Sequence, residues 1–146
     1  MKSETSIQIE LWKLIETYKL PNVLVFHIPN GEKRGIKTAM RLKQMGVLPG
    51  VPDFCYIANF RVGFLELKRA DGRPSNAQLE FMGEAAWNLI LVDVAHSVSE
   101  GAQILQKRGV FDPNINFISD DPSDRGRAGR TVRKRAVRPT KTTGAN

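Results

Sequence analysis

Ile7, Leu11, Leu14, Ile15 and Tyr18 recur at intervals of three and four residues. That spacing puts them on one side of a helix. It predicts a helix over residues 3–19, with Ser3 as N-cap and Pro21 as its stop. The next apolar run, "NVLVFHI" at 22–28, is short and β-rich, and the turn residues "PNG" close it. A helical pattern returns over 34–45 and ends before Gly46; "GVLPGVP" at 46–52 reads as a rigid loop. Two strands follow, 53–58 and 61–68, with Asn59-Phe60 between them as a tight turn. "ADGRPS" is turn chemistry, and Ser75 opens a helix over 75–87 with Leu79, Met82 and Ala86 directed inward. "LILVDV" at 89–94 reads as a buried strand, and a last helix over 98–108 is ended by Gly109. Trp12 and Trp87, both on helices, are expected in the core. The order α, β, α, β, β, α, β, α predicts an α/β protein with a mixed central sheet flanked by helices.

Segment 61–68, "RVGFLELK", breaks its own apolar pattern. Phe64, Leu65 and Leu67 read as buried, yet Glu66 and Lys68 sit among them, two residues apart and on one face of the strand. Charges on a buried face are costly to desolvate without partners. In a hairpin closed by Asn59-Phe60, Ala58 faces Arg61, Cys55 faces Phe64, and Asp53 falls opposite Glu66. Opposed residues have Cβ atoms ~5 Å apart, so two carboxylates would meet, with Lys68 one step further along. A divalent cation would neutralise the pair, and oxygen ligands favour Mg²⁺ or Mn²⁺. Such a set suits phosphodiester hydrolysis. The metal polarises the phosphate and acidifies a bound water, while the lysine orients that water or stabilises charge on the phosphate. A one-residue slip would part the two acids. An ion pair of Lys68 with Glu66 or Asp53 at an exposed sheet edge accounts for the same residues without catalysis.

Charge adds a second feature. The net charge is +7, but from Arg125 onward there are eight Lys/Arg and no acid. The rest of the chain holds 14 basic and 15 acidic residues, a net of −1. After about Ile118 the composition shifts to Asp, Gly, Arg, Pro and Thr. This predicts one domain over 1–119 and a basic, disordered tail over 120–146. Arg133, Lys134 and Arg135 in the tail are candidate nucleic-acid contacts. Lys33, Lys37 and Arg41, four apart on one helix face, are further candidates, with a plain solvated face as the other reading. The single cysteine, Cys55, excludes an intramolecular disulfide and a multi-cysteine zinc site, and is expected to pack rather than react. No run approaches the ~18 apolar residues of a membrane helix, and the first ten residues hold no apolar signal core. A cytoplasmic protein without membrane contact is expected.

"PGVPDF" at 49–54, "LELK" at 65–68 and "DGRPSNAQ" at 71–78 together resemble the virus-type replication-repair nuclease domain (VRR-NUC), a branch of the PD-(D/E)xK, restriction-endonuclease-like phosphodiesterases. The resemblance runs from about Ser3 to Gly109 and includes "HIPNG" at 27–31 and the basic lead-in "KRGIKTAMRLKQMGVLPGVPD". It implies a restriction-endonuclease-like αβββαβ core. It implies that Asp53 and Glu66 ligate Mg²⁺, with Mn²⁺ as a substitute, together with the Leu67 backbone carbonyl. It implies Lys68 as the active-site lysine and Gln78 as a polar site residue. Read from the residues alone, Ser75-x-x-Gln78 is also a capping box, and both roles are compatible. The resemblance further implies a site-facing acid on the first helix. Glu4 lies seven residues before Leu11, nearly the same helical direction, whereas Glu10 points roughly 120° away. Glu4 is therefore the assigned acid, with Gln8 one turn later as a helper. His27 is either a strand-end polar residue or a substrate contact, and His96 has no assigned role.

The expected activity is that of a metal-dependent DNA endonuclease without a small-molecule cofactor. The resemblance points to branched or four-way-junction DNA, to a homodimer, and to a bacterial or phage-infected cell. The alternative is a non-catalytic basic nucleic-acid-binding protein whose tail and 33–41 face do the binding.

Overall fold

The computed structural model describes residues 1–30 and 35–117. Lys33, Arg133, Lys134, Arg135 and the expected tail over 120–146 lie outside the described residues. The elements follow the predicted order: α1 (Glu4–Tyr18), β1 (Leu24–His27), α2 (Ile36–Gln44), β2 (Phe54–Ala58), β3 (Arg61–Leu67), α3 (Asn76–Trp87), β4 (Leu91–Ala95) and α4 (Val98–Lys107). The strands form one sheet in the order β1-β2-β3-β4. β1, β2 and β3 are antiparallel neighbours, and β4 lies parallel to β3 after the α3 crossover.

The β2–β3 hairpin has the predicted register. Ala58 pairs with Arg61, Cys55 with Phe64 and Phe54 with Leu65. Asn59 and Phe60 both have positive φ, 51° and 60°, as a two-residue type I′ turn requires. Asparagine tolerates that conformation; an aromatic residue rarely adopts it.

One sheet face presents Val25, Phe54, Tyr56, Leu65, Leu67 and Ala95 to Ile7, Leu11 and Ile15 of α1 and to Ala102 and Leu105 of α4. Any side chain at Gly101 would press into Leu11, so α1 and α4 approach as closely as glycine permits. Trp12 covers the core edge, stacked parallel on Phe54 with ring centroids 6.1 Å apart. The other face carries Cys55, Phe64 and Glu66, and α3 packs on it edge-to-face through Phe81 against Phe64.

Three expectations are corrected. Leu79 and Ala86 of α3 point to solvent, while Phe81 and Met82 are half-buried and Ala85 is buried. The facing set is 78, 81, 82 and 85, because Gln78 must reach the sheet and Phe81 stacks on it. Trp87, at the end of that helix, is 90% exposed rather than core. The last strand begins at Leu91 rather than at 89. Leu89 instead closes α3 in the left-handed region (φ 57°), with Ile90 N–H donating to the Ala85 carbonyl and Leu89 N–H to the Ala86 carbonyl. That is a Schellman closure with leucine where glycine is usual.

Candidate active site

Asp53 stands just ahead of β2, and the hairpin register carried one step further sets it across from Glu66. Its Oδ2 accepts a hydrogen bond from the Leu67 N–H at 2.8 Å, which joins the start of β2 to the end of β3. The approach to Asp53 is fixed by Gly50. Its φ of 79° lies in the left-handed region, and a Cβ there would strike the Ala77 carbonyl at 2.2 Å. The loop before the first acid therefore lies directly against the first turn of α3, where Gln78 sits.

Glu66 is 1% exposed and Lys68 8%. Lys68 Nζ donates to Glu66 Oε1 at 2.5 Å, and Gln78 Nε2 donates to the same oxygen. Gln78 is held for this by the helix cap. Its Oε1 accepts from Ser75 N–H at 2.8 Å, while Ser75 Oγ accepts from Gln78 N–H at 3.3 Å. One amide therefore closes the capping box and reaches the buried acid. The second oxygen of Glu66, Oε2, is buried without a hydrogen-bond partner.

Glu4, in the first turn of α1, reaches this end of β3. Its Oε2 is 3.9 Å from Lys68 Nζ, and its Oε1 accepts from Arg69 N–H at 3.4 Å. Glu10 turns away to Lys2 and Ser6. Asp53, Glu66, Lys68, Gln78 and Glu4 are thus gathered at one corner. Lys37 and Arg41 lie exposed on α2, of which no residue is buried.

Burial raises the Asp53 carboxyl above its ordinary range, against the Leu67 N–H and Lys68, which act the other way. Burial pushes Glu66 up to about 6, opposed by Lys68 and reinforced by the Asp53 charge. Burial also raises the Cys55 thiol, which suits packing rather than nucleophilic attack.

His27 has a role that its place in the sequence did not disclose. Its Nδ1 lies 2.7 Å from the Asp53 carbonyl and 3.1 Å from the Gln8 side-chain amide. The Ile28 N–H donates to the same carbonyl at 2.8 Å. The end of β1 and the second turn of α1 therefore brace the backbone that carries Asp53. The recurrence of "HIPNG" and "PGVPD" in one resemblance was the available signal; the contact between them is tertiary.

Among the described residues, no three His, Cys, Asp or Glu side chains converge as a ready cation cage. Two opposed carboxylates, one with a buried and unpartnered oxygen, and a third acid at the rim do fit a Mg²⁺ that keeps several of its waters.

A mixed four-stranded sheet flanked by helices, with acids at the ends of its two central strands, places the chain in the α/β class. A solved structure described as a VRR_NUC domain protein has this fold: TM-score 0.62 at 23% identity, over 77% of this chain and 94% of that one. No family model matches the chain, and no curated protein matches it.

Proposed function

We propose that this protein is a metal-dependent DNA endonuclease that hydrolyses phosphodiester bonds, with branched DNA as its preferred substrate. The observation that carries the reading is the buried Glu66, whose Oε2 lacks any partner, beside Asp53 and held by Lys68 and Gln78. An orphaned carboxylate oxygen in a dry site is costly unless a ligand completes it. Asp53, Glu66 and the Leu67 carbonyl would hold Mg²⁺ or Mn²⁺, with Glu4 at the rim. When bound, the cation supplies Lewis acidity and lowers the pKa of a water.

The residues of the chain do the rest. Lys68 keeps two further N–H donors after its bond to Glu66, and it aims them at the phosphate and the attacking water. Gln78 fixes the Glu66 carboxylate so that its free oxygen stays directed at the ligand. The exposed Lys37 and Arg41 on α2 offer charge to a DNA backbone, without sequence preference. A homodimer would place two such corners on the paired strands of a junction.

The test is cleavage of labelled four-way junction, flap, nicked and linear duplex, with and without Mg²⁺, by the wild type and by Asp53→Ala. Metal-dependent cutting that prefers the junction and vanishes in the variant is the expected result. Binding without cutting, in both Mg²⁺ and Mn²⁺, would replace the nuclease by a nucleic-acid-binding protein.

A further inference from the structure

At the opposite end of the hairpin, on the face that packs against α4, lies a cavity of about 280 Å³. Tyr56, Asn59, Arg61, Lys107 and Arg108 contribute its polar lining. The sheet itself separates it from Asp53 and Glu66, which lie on the opposite face. Nothing in the nuclease reading uses it.

Three features describe what it would hold. The first is charge. Arg108 is neutralised by Asp93 through a two-pronged pair, Nε to Oδ2 at 2.8 Å and Nη2 to Oδ1 at 2.7 Å. Arg61 and Lys107 have no ion-pair partner among the described residues, so the lining carries two uncompensated positive charges. The second is donor supply. The Asp93 fork uses two of the five guanidinium N–H groups of Arg108, and one of the remaining three faces the Tyr56 hydroxyl. The third is an unmet group. The Tyr56 hydroxyl is buried, in a residue 3% exposed; the Arg108 guanidinium faces its oxygen, and its O–H finds no acceptor. The hydroxyl lies over Gly63, where any Cβ would collide with it, so the ring is held in place by a position that only glycine can occupy. A buried O–H without an acceptor destabilises the fold. An acceptor in the cavity would satisfy it.

One wall is tightly packed. Asn59 packs on Gly109 so tightly that a Cβ there would overlap its Nδ2, and this locks the hairpin tip to the end of α4. Cations, spare N–H donors and an O–H donor converge on a space that holds a small oxyanion, with no acid free to oppose it. We propose that this cavity is a second anion site, one that takes the phosphate group of a small molecule.

The full chain is titrated with inorganic phosphate, with a nucleoside monophosphate, and with a short oligonucleotide lacking terminal phosphates. The readout is the NMR shift of the Arg108 Nε–H and of the Asn59 and Arg61 amides, which separates this cavity from the Asp53–Glu66 corner. Saturable shifts with either small phosphate, in the millimolar range or tighter, are expected. The double variant Arg61→Ala/Lys107→Ala, exposed at both positions, should bind about tenfold or more weakly. Tyr56→Phe should melt no lower than wild type without phosphate, and should gain less in Tm when phosphate is added. Absence of saturable shifts, unchanged affinity in the double variant, or a response to the oligonucleotide alone would overturn the proposal.

Discussion

Glu66 and Gln78 are the residues on which the site turns, and each carries two jobs. Gln78 caps α3 and bonds Glu66 through the same amide. Gln78→Ala removes both, and should lower stability by about 1–2 kcal/mol in denaturant unfolding. A loss of only a few tenths would mean that neither bond matters. Glu66 takes up its proton near pH 6 when folded, against an ordinary value of 4.5. The folded state therefore binds more protons than the unfolded chain between those values, and the metal-free protein loses stability as pH rises through them, by up to about 2 kcal/mol. A bound cation needs the ionised acid and reverses the trend. Thermal melts should accordingly show a metal-free Tm that falls from pH 5 to pH 7, and a Mg²⁺ increment larger at pH 7.5 than at pH 5. An increment that ignores pH would remove Glu66 from the ligand set.

Two elements end in conformations that their residues do not favour. Phe60 turns the β2–β3 hairpin with φ 60°, and Leu89 closes α3 with φ 57°. Both side chains are essentially fully exposed, so neither is held there by packing. Left-handed backbone costs an L-residue roughly 1–2 kcal/mol, and glycine escapes that cost. Phe60→Gly and Leu89→Gly should each raise stability by about 0.5–1 kcal/mol, with additive effects, because the two turns share no contacts. Calorimetry on the single and double variants decides this. A destabilised Phe60→Gly would show that the ring makes a contact in solution. The same two turns explain where element boundaries could be read. Asn59-Phe60 fell between two β-rich runs and was visible as a turn without its glycine. The Leu89 closure was not visible, because "LILVDV" is an unbroken apolar run and nothing local marks its first two residues as a helix end.

At the scale of the whole molecule, the cationic tail and the proposed site are separate in the sequence. The eight cations from Arg125 onward outweigh the near-neutral remainder. Deleting 125–146 should reduce the dependence of DNA affinity on salt, by several in the slope of log K against log salt if most of those charges meet phosphates. The cleavage proposed for the Asp53 corner should persist at saturating DNA. An unchanged slope would assign DNA contact to the body, with Lys37 and Arg41 the first positions to test.

The sequence by itself determined the element order, the α/β class and the pairing of Asp53 with Glu66. These follow from local periodicity and from a two-residue turn that fixes hairpin register. The capping box was legible for the same reason, since Ser75 and Gln78 are one helical turn apart. The tertiary structure decided what joins distant segments. The face of α3 that meets the sheet is set by Gln78 and Phe81 rather than by its most apolar residues. The contact of His27 with the Asp53 carbonyl crosses 26 residues of chain. Gly50 is required because a carbonyl of another element lies where its side chain would be. The cavity at Tyr56 exists only because Gly63, Asn59, Gly109 and Arg108 meet there. Periodicity reports which way a side chain points relative to its own neighbours. It cannot report which group from elsewhere in the chain arrives opposite, and in this molecule that arrival leaves Glu66 Oε2 buried without a partner and the Tyr56 O–H buried without an acceptor.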